Sequence, residues 1–312
     1  MKVTVAICTW NRADLLNQTL SKMRELHVPD DVEWELLIVN NKCTDSTDEV
    51  IARYSDALPI CRLFESKPGL SNARNCAIDH ANGDLLLWTD DDVLVEKDWL
   101  HAYICAAKNW PDVSFFGGTV NPWFENTPPK WVSMHLHQLQ GTYAIRQLGD
   151  SVRLFQEGEA PFGANMAFRT STQKAYRYNQ ALGRSGTNMI SGEESSLFKD
   201  MRRDGHQGLW VGTAVVQHFI PSDRLTAQYI SAYFSGIGRT RVRQTGTPDL
   251  PTLFGMPRHW VRKYLKCLFL SLLNSPWRNE DWLKAMKQKS IVQGMFHELR
   301  AIKLNPKNNV AQ

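Results

Sequence analysis

Three consecutive carboxylates close an apolar run, Leu85-Leu-Leu-Trp-Thr-Asp90-Asp91-Asp92-Val93. Adjacent aspartates repel one another unless a cation or hydrogen bonds compensate them, and hard oxygen donors of this kind suit Mg2+ or Mn2+. The same residues also fit a solvated turn that opens a helix, since acidic side chains favour helix starts. A second pair, Glu193-Glu194, follows the small-residue stretch Ser185-Gly-Thr-Asn-Met-Ile-Ser-Gly192 and precedes a helix-like Ser195–Arg202. A glutamate beside a metal-bound diphosphate can remove the proton from an attacking hydroxyl; equally, it can complement a helix dipole. His218 follows the apolar run Trp210–Val216 and reads either as a structural residue or as a neutral imidazole completing a metal shell. Arg12, Lys67, Arg74, Arg224, Arg239 and Arg241 offer the positive charge that stabilises a departing phosphate, and the sequence does not choose among them.

Elements must deliver these groups to one place. Short apolar runs at Val3–Thr9, Glu35–Val39, Ile60–Phe64 and Leu85–Trp88 alternate with helical stretches near Asp14–Glu25, Ser46–Tyr54 and Leu70–Asn82. That alternation builds βαβ units and predicts an α/β fold with a mostly parallel sheet flanked by helices. Ligands of such sheets bind beyond the carboxyl ends of the strands, where the aspartates fall. From Gly117 the texture turns irregular, with Asn121-Pro-Trp-Phe124 and Pro128-Pro-Lys-Trp131 reading as loop. Strands return at Ala164–Arg169 and Leu209–Val216. Beyond Thr226 the pattern is helical, and the polar tail Asn305–Gln312 is expected to fray. The expected division is a catalytic domain over 1–225, with halves 1–118 and 119–225, and a helical extension over 226–312.

Composition narrows the classes. With 312 residues and 43% hydrophobic content the chain can bury a substantial core, which excludes a disordered protein. A net charge of +4 suits anionic small ligands but falls short of a nucleic-acid binder, so no nucleic-acid partner is expected. The six cysteines show neither paired nor metal-like spacing, as in a reducing compartment, and Met1–Arg12 lacks the long apolar segment of a secretory signal. A cytoplasmic location is the expectation, without a membrane-spanning helix.

Taken in order, these motifs resemble glycosyltransferase family 2, enzymes of the GT-A fold. The resemblance rests on Val5-Ala-Ile-Cys-Thr9-Trp-Asn11-Arg12, Leu37-Ile-Val-Asn40-Asn41-Lys-Cys-Thr-Asp45-Ser-Thr47, and Gly69-Leu-Ser-Asn-Ala-Arg74-Asn75. It continues through the aspartate triple, Gly163-Ala-Asn165-Met-Ala-Phe168, Gly192-Glu193-Glu194 and Val216-Gln-His218, and spans about residues 1–240. It implies an inverting transfer of sugar from a nucleotide-diphosphate sugar, with UDP favoured, to an acceptor hydroxyl of a saccharide or lipid-linked saccharide. By the same resemblance Thr9, Asn11, Arg12, Asn40, Arg74, Asp90 and Arg224 contact the donor. Asn40 replaces an aspartate common in relatives. Asp91, Asp92 and His218 are assigned to Mn2+ or Mg2+, Glu194 to the base with Glu193 as its rival, and Trp123, Gly163 and Asn165 to the acceptor side. Phe124 and Trp131 serve either as stacking faces or as packing.

Two other classes use similar parts. A sugar-phosphate nucleotidyltransferase also combines an aspartate-tipped strand with phosphates, but Cys8-Thr-Trp-Asn-Arg12 carries no glycine for a phosphate loop. A non-catalytic glycan-binding module would need neither nucleotide site nor base. Near the C-terminus, Trp260, Val261, Tyr264, Leu265, Leu268, Phe269 and Leu272 recur at helical spacing among Arg258, Arg262, Lys263 and Lys266. Such a helix either docks on protein or makes a peripheral membrane contact.

Overall fold

The structure, a computed structural model, describes residues 1–183, 189–246, 251–253 and 256–304. Ser185–Asn188 of the small-residue stretch, and the tail from Asn305, lie outside the described residues. The first half alternates as expected: β1 (Lys2–Thr9), α1 (Ala13–Met23), β2 (Glu33–Asn40), α2 (Thr47–Tyr54), β3 (Ile60–Phe64), α3 (Leu70–His80) and β4 (Leu85–Asp90). A short β5 (Val93–Val95) follows directly, then α4 (Trp99–Asn109) and β6 (Phe115–Phe124). Next come the short helices α5 (Lys130–Met134) and α6 (Leu136–Leu139), then β7 (Val152–Leu154), β8 (Met166–Arg169), α7 (Thr170–Ala175), α8 (Glu193–Arg203) and β9 (Gly208–Ile220). The C-terminal part holds α9 (Ala227–Thr245), the two-residue strands β10 (Thr252–Leu253) and β11 (Met256–Pro257), α10 (Arg258–Leu273) and α11 (Glu280–Leu304).

Among the described residues, β1 to β9 form one sheet in the order β3-β2-β1-β4-β8-β6-β9-β5, with β7 also on β9. The pairs among β3, β2, β1 and β4 are all parallel, β6 and β9 are parallel, and β8, β5 and β7 run antiparallel to their neighbours. Both faces are covered, which explains the unbroken apolar runs. Val3, Val5 and Ile7 pack with Leu16 and Leu20 of α1 on one side. Ala6, Leu37 and Trp88 meet Ala73, Ala77 and Ile78 of α3, with Leu197, Phe198 and Met201 of α8, on the other.

Asn121–Phe124 is strand and not loop. It pairs in parallel with Gln217–Ile220 of β9, and Pro122 is tolerated because β8 covers only Phe115–Gly117 of β6. The register between β6 and β9 shifts after Gly118. Asn165, expected at the acceptor, is instead fully buried at this irregularity. Its Nδ2 donates to the carbonyls of Thr119 at 2.9 Å and Ala214 at 2.7 Å, and its Oδ1 accepts from Trp99 Nε1 and Tyr103 Oη, both at 2.7 Å. An amide spent on four core groups has no atom left for a ligand. A Cβ on Gly118 would strike the Ala214 carbonyl and Asn165 Nδ2, so the crossing requires glycine.

The chain divides into two compact units. One comprises Met1–Glu125, Tyr143–Gly186 and Glu193–Ile220; the other comprises Asn126–Thr142, Thr187–Gly192 and Pro221–Gln312. The second thus joins Asn126–Thr142 to the C-terminal part from Pro221. Trp131 shows why: it is buried, meets Trp282 edge-on at 5.3 Å between ring centres, and both rings lie beside the Arg278 guanidinium. It is packing and not a stacking face. Among the described residues, no helix is long and apolar enough to cross a membrane, and all six cysteines are free thiols.

Asn165→Ala removes four hydrogen bonds from a dry interior and leaves the carbonyls and the two aromatic donors without partners. It is expected to destabilise the protein by about 3 kcal/mol or more in denaturant unfolding. A loss below about 1 kcal/mol would contradict the role given to this amide.

Candidate functional site

Parallel strands β1, β2 and β4 end together: Thr9 lies opposite Asn40, and Cys8 opposite Asp90. Beyond these ends the aspartate triple turns directly into β5, whose Val93 pairs with His218 of β9. The Phe219 N–H donates to the Asp92 carbonyl at 2.9 Å, which locks His218 beside the triple. Asp90, Asp92 and His218 thus each offer a ligand atom, all within 4.8 Å of one another. His218 Nδ1 lies 3.0 Å from the Tyr143 carbonyl, which can only accept, so Nδ1 carries the proton. Nε2 then faces Asp92 Oδ1 at 3.5 Å. That tautomer is the one that offers an imidazole lone pair to a metal.

Asp91 points elsewhere. Its Oδ1 meets Arg12 Nη1 at 3.0 Å, and the same nitrogen reaches Asp92 Oδ2 at 2.9 Å. The Asp91 carbonyl accepts from Thr19 Oγ1 at 2.9 Å. Burial pushes the Asp91 carboxyl up to about 6 against the pull of Arg12. Expectation and structure differ here. The gathered donors are the first and third aspartates, one at the end of β4 and one in the turn that leads into β5, whereas the expected pair was Asp91 and Asp92. Arg12, expected on the donor, is the internal counter-ion of two of these carboxylates.

Arg74 behaves similarly. It shares the buried stripe of α3 with Ala77 and Ile78, so its guanidinium is carried inward with a side-chain exposure of only 3%. There Nη1 binds Glu194 Oε1 at 2.8 Å and lies 3.7 Å from Glu193 Oε1, while Nη2 is 3.9 Å from Asp90 Oδ1. Tyr178 and Trp88 flank it, with ring centres 5.1 and 5.9 Å from the guanidinium carbon. The expectation of a phosphate clamp gives way to an organiser of carboxylates.

Both glutamates stand in the first turn of α8, ahead of the buried Leu197, Phe198 and Met201 that anchor it. Glu193 is 7% exposed and Glu194 22%, so Glu194 is the more accessible of the two rivals. Glu194 Oε2 accepts from the Gly163 N–H at 3.1 Å, while Oε1 takes Arg74. A Cβ on Gly163 would run into Arg74 Nη2 and Glu194 Oε1, so this glycine is what lets the backbone approach the carboxylate.

Around the strand ends, the polar loop residues chiefly build the rim. Asn40 is buried, donates to Asp48 Oδ1 at 2.7 Å and accepts from the Cys43 N–H at 2.7 Å. Asn11, at φ 52°, accepts from the Thr44 N–H at 2.7 Å. Thr9 is buried at the end of β1. Asn41 holds the loop to Gly69 by bonds to Glu65 O, Lys67 O and Gly69 N, and Asp45 caps α1 through Ala13 N at 2.9 Å. Asn41 and Asp45 sit inside the strand-end motif and were missed because sequence shows motif membership, not partners. The Tyr143 carbonyl has no sequence signal at all. Trp123 lies edge-on to Phe219 at 4.9 Å and stays half-buried. Arg224 and Arg239 belong to the other compact unit, where Arg224 lies over the Tyr229 ring and Arg239 binds Glu298 at 2.9 Å.

Comparison with known proteins shows the family and the fold. The model of the family described as Glycosyl transferase family 2 matches residues 4–181. Succinoglycan biosynthesis protein ExoM of Rhizobium meliloti (strain 1021) is 24% identical over 247 residues, which cover 78% of this chain and 75% of that protein. The mannosyltransferase PcManGT from Pyrobaculum calidifontis, solved in complex with GDP-Man and Mn2+, aligns at a TM-score of 0.57 and 15% identity, covering 97% of this chain and 75% of that one. S. aureus TarS 1-349 in complex with UDP aligns at 0.57 and 13% identity, covering 96% and 92%. At these identities the two structures establish the fold, GT-A, and nothing finer.

Arg74→Met keeps the bulk of the side chain but strips Glu193, Glu194 and Asp90 of their shared cation. A loss of about 3–5 kcal/mol in denaturant unfolding is expected, the cost of leaving buried charge uncompensated. Stability unchanged to within about 0.5 kcal/mol would show that Arg74 is not their organiser.

Proposed function

We propose, from the premise that the chain belongs to glycosyl transferase family 2, that it inverts the anomeric centre as it moves a sugar from a nucleotide-diphosphate donor to an acceptor hydroxyl. A UDP-sugar is the favoured donor, and a hydroxyl of a growing glycan or lipid-linked saccharide the acceptor. The observation that carries the reading is the convergence, beyond the parallel strand ends, of Asp90, Asp92 and His218. PcManGT was solved with GDP-Man and Mn2+ and TarS with UDP, which supports a nucleotide-linked donor.

The two carboxylates suit Mn2+ or Mg2+, and the imidazole nitrogen favours the softer Mn2+ of the two. Bound there, the ion would neutralise charge on the leaving diphosphate. The chain's own part in the chemistry falls to Glu194. Arg74 and the Gly163 N–H each occupy one lone pair of its carboxylate oxygens, fixing its orientation and leaving the remaining lone pairs to accept a proton. As the acceptor O–H proton passes to Glu194, its oxygen forms the bond to the anomeric carbon and the bond from that carbon to the diphosphate oxygen breaks. Arg12 and Arg74 keep the surrounding carboxylates in place without touching the donor.

Thermal unfolding with UDP, GDP, dTDP and CMP, each with and without Mn2+, tests the donor. UDP with Mn2+ is expected to give the largest rise in Tm, because a ligand of the native state alone stabilises it. A larger shift with another nucleotide would replace the UDP assignment. Glu194→Gln is expected to cut nucleoside diphosphate release in the presence of acceptor by about 100-fold or more while the UDP-dependent Tm shift persists. Normal turnover by that variant, in folded protein, would remove Glu194 from the role.

A further inference from the structure

Helix α10 has two unlike sides. Trp260, Cys267 and Ser271 are buried, and Trp260 and Tyr264 pack on Phe296 of α11 at 6.4 and 5.9 Å between ring centres. On the arc opposite that stripe stand Leu265, Phe269, Leu272 and Leu273, with Trp277 just past the helix end, all of them 56–68% exposed. These five are nearly half of the large exposed hydrophobic side chains among the described residues, gathered within thirteen positions of sequence. A scatter of single exposed residues is ordinary; a contiguous patch of this size is not.

Charge accompanies the patch. Arg258, Arg262, Lys263 and Lys266 are exposed on the first turns of the same helix. From Arg258 to Asn279 the sequence contains no aspartate or glutamate. Cations therefore occupy the N-terminal half of the free face, and aliphatic and aromatic side chains its C-terminal half. A second copy of this chain meeting the face through the same patch would bring cation against cation, so a symmetric self-contact is opposed. An apolar surface with four cations along its own helix, and acidic residues only from Glu280 onward, complements a layer that is anionic outside and hydrocarbon within.

We propose that α10 is a membrane-surface docking element that lies in the headgroup region of an anionic phospholipid bilayer. Leu265, Phe269, Leu272, Leu273 and Trp277 enter the acyl boundary, and Arg258, Arg262, Lys263 and Lys266 contact lipid phosphates. Too short and too basic to span, the helix binds in the plane of the surface. The inference is independent of which sugar or nucleotide the protein uses.

Co-sedimentation of the full chain with vesicles tests it, using phosphatidylcholine alone and a 1:1 mixture of phosphatidylcholine and phosphatidylglycerol. Binding is expected to the mixed vesicles and to weaken steeply between low and high salt. Exchanging Arg262 and Lys266 for glutamate should lower the partition coefficient at least tenfold, on the scale of about 1 kcal/mol per basic residue at such a surface. The pair Phe269→Glu and Leu272→Glu should abolish binding. All four positions are exposed, so the variants should melt like the parent, which separates lost docking from lost folding. Equal binding to both vesicle types, no binding to either, or unchanged binding by the variants would each overturn the proposal. So would self-association, seen in sedimentation velocity, that Phe269→Glu removes.

Discussion

Everything at the site depends on how this fold tolerates five carboxylates in one place. Asp90, Asp91 and Asp92 leave the end of β4, and Glu193 and Glu194 open α8. Arg12 pairs with Asp91 and Asp92, while Arg74 pairs with Glu194 and lies 3.7 Å from Glu193 and 3.9 Å from Asp90. Crowding so many carboxylates into a partly desolvated setting makes their mutual repulsion strong. The two arginines counter this repulsion. They sort the carboxylates, Arg12 tying Asp91 and one oxygen of Asp92 to the base of α1 and Arg74 tying Glu194 to α3, while Asp90 and Asp92 still converge with His218. A divalent cation bound as proposed above would offset that crowded charge.

Secondary structure supports the same end. The parallel half of the sheet brings β1, β2 and β4 to a common edge, while β5 folds back at once to lay Val93 against His218. Without that antiparallel return, the histidine would have no reason to meet residues more than a hundred positions earlier. The fully buried Asn165 holds the neighbouring irregularity between β6 and β9. Gly163, two residues before it, brings its N–H to Glu194. One short segment thus serves the core with its amide and the site with its backbone.

Much of this was legible beforehand, and the failures have physical causes. Alternating apolar runs and helical stretches placed the first four strands and three helices to within a few residues, because both faces of the sheet demand apolar side chains. Asn121–Phe124 read as loop because proline and asparagine disfavour strands, yet pairing with β9 on one edge alone overrides that preference. Arg74 was noticed for its charge, although its spacing from Ala77 and Ile78 already put it on an inward stripe where a cation must find carboxylates. Within the aspartate triple, β4 ends at Asp90 and a turn holds Asp91 and Asp92, so strand alternation gave no rule for which two converge. Asn165 was correctly seen as part of a motif, but burial, which no single sequence displays, decides that it serves the core.

The most direct test is electron paramagnetic resonance titration of Mn2+ into the wild-type protein and the variants Asp90→Asn, Asp91→Asn, Asp92→Asn and His218→Gln, each shown to be folded. Asp90, Asp92 and His218 offer the converging donors while Asp91 serves Arg12. The account therefore predicts that binding weakens about tenfold or more in the Asp90, Asp92 and His218 variants and survives in Asp91→Asn. Loss of binding in Asp91→Asn with retention in Asp90→Asn would contradict it and return the metal to the second and third aspartates.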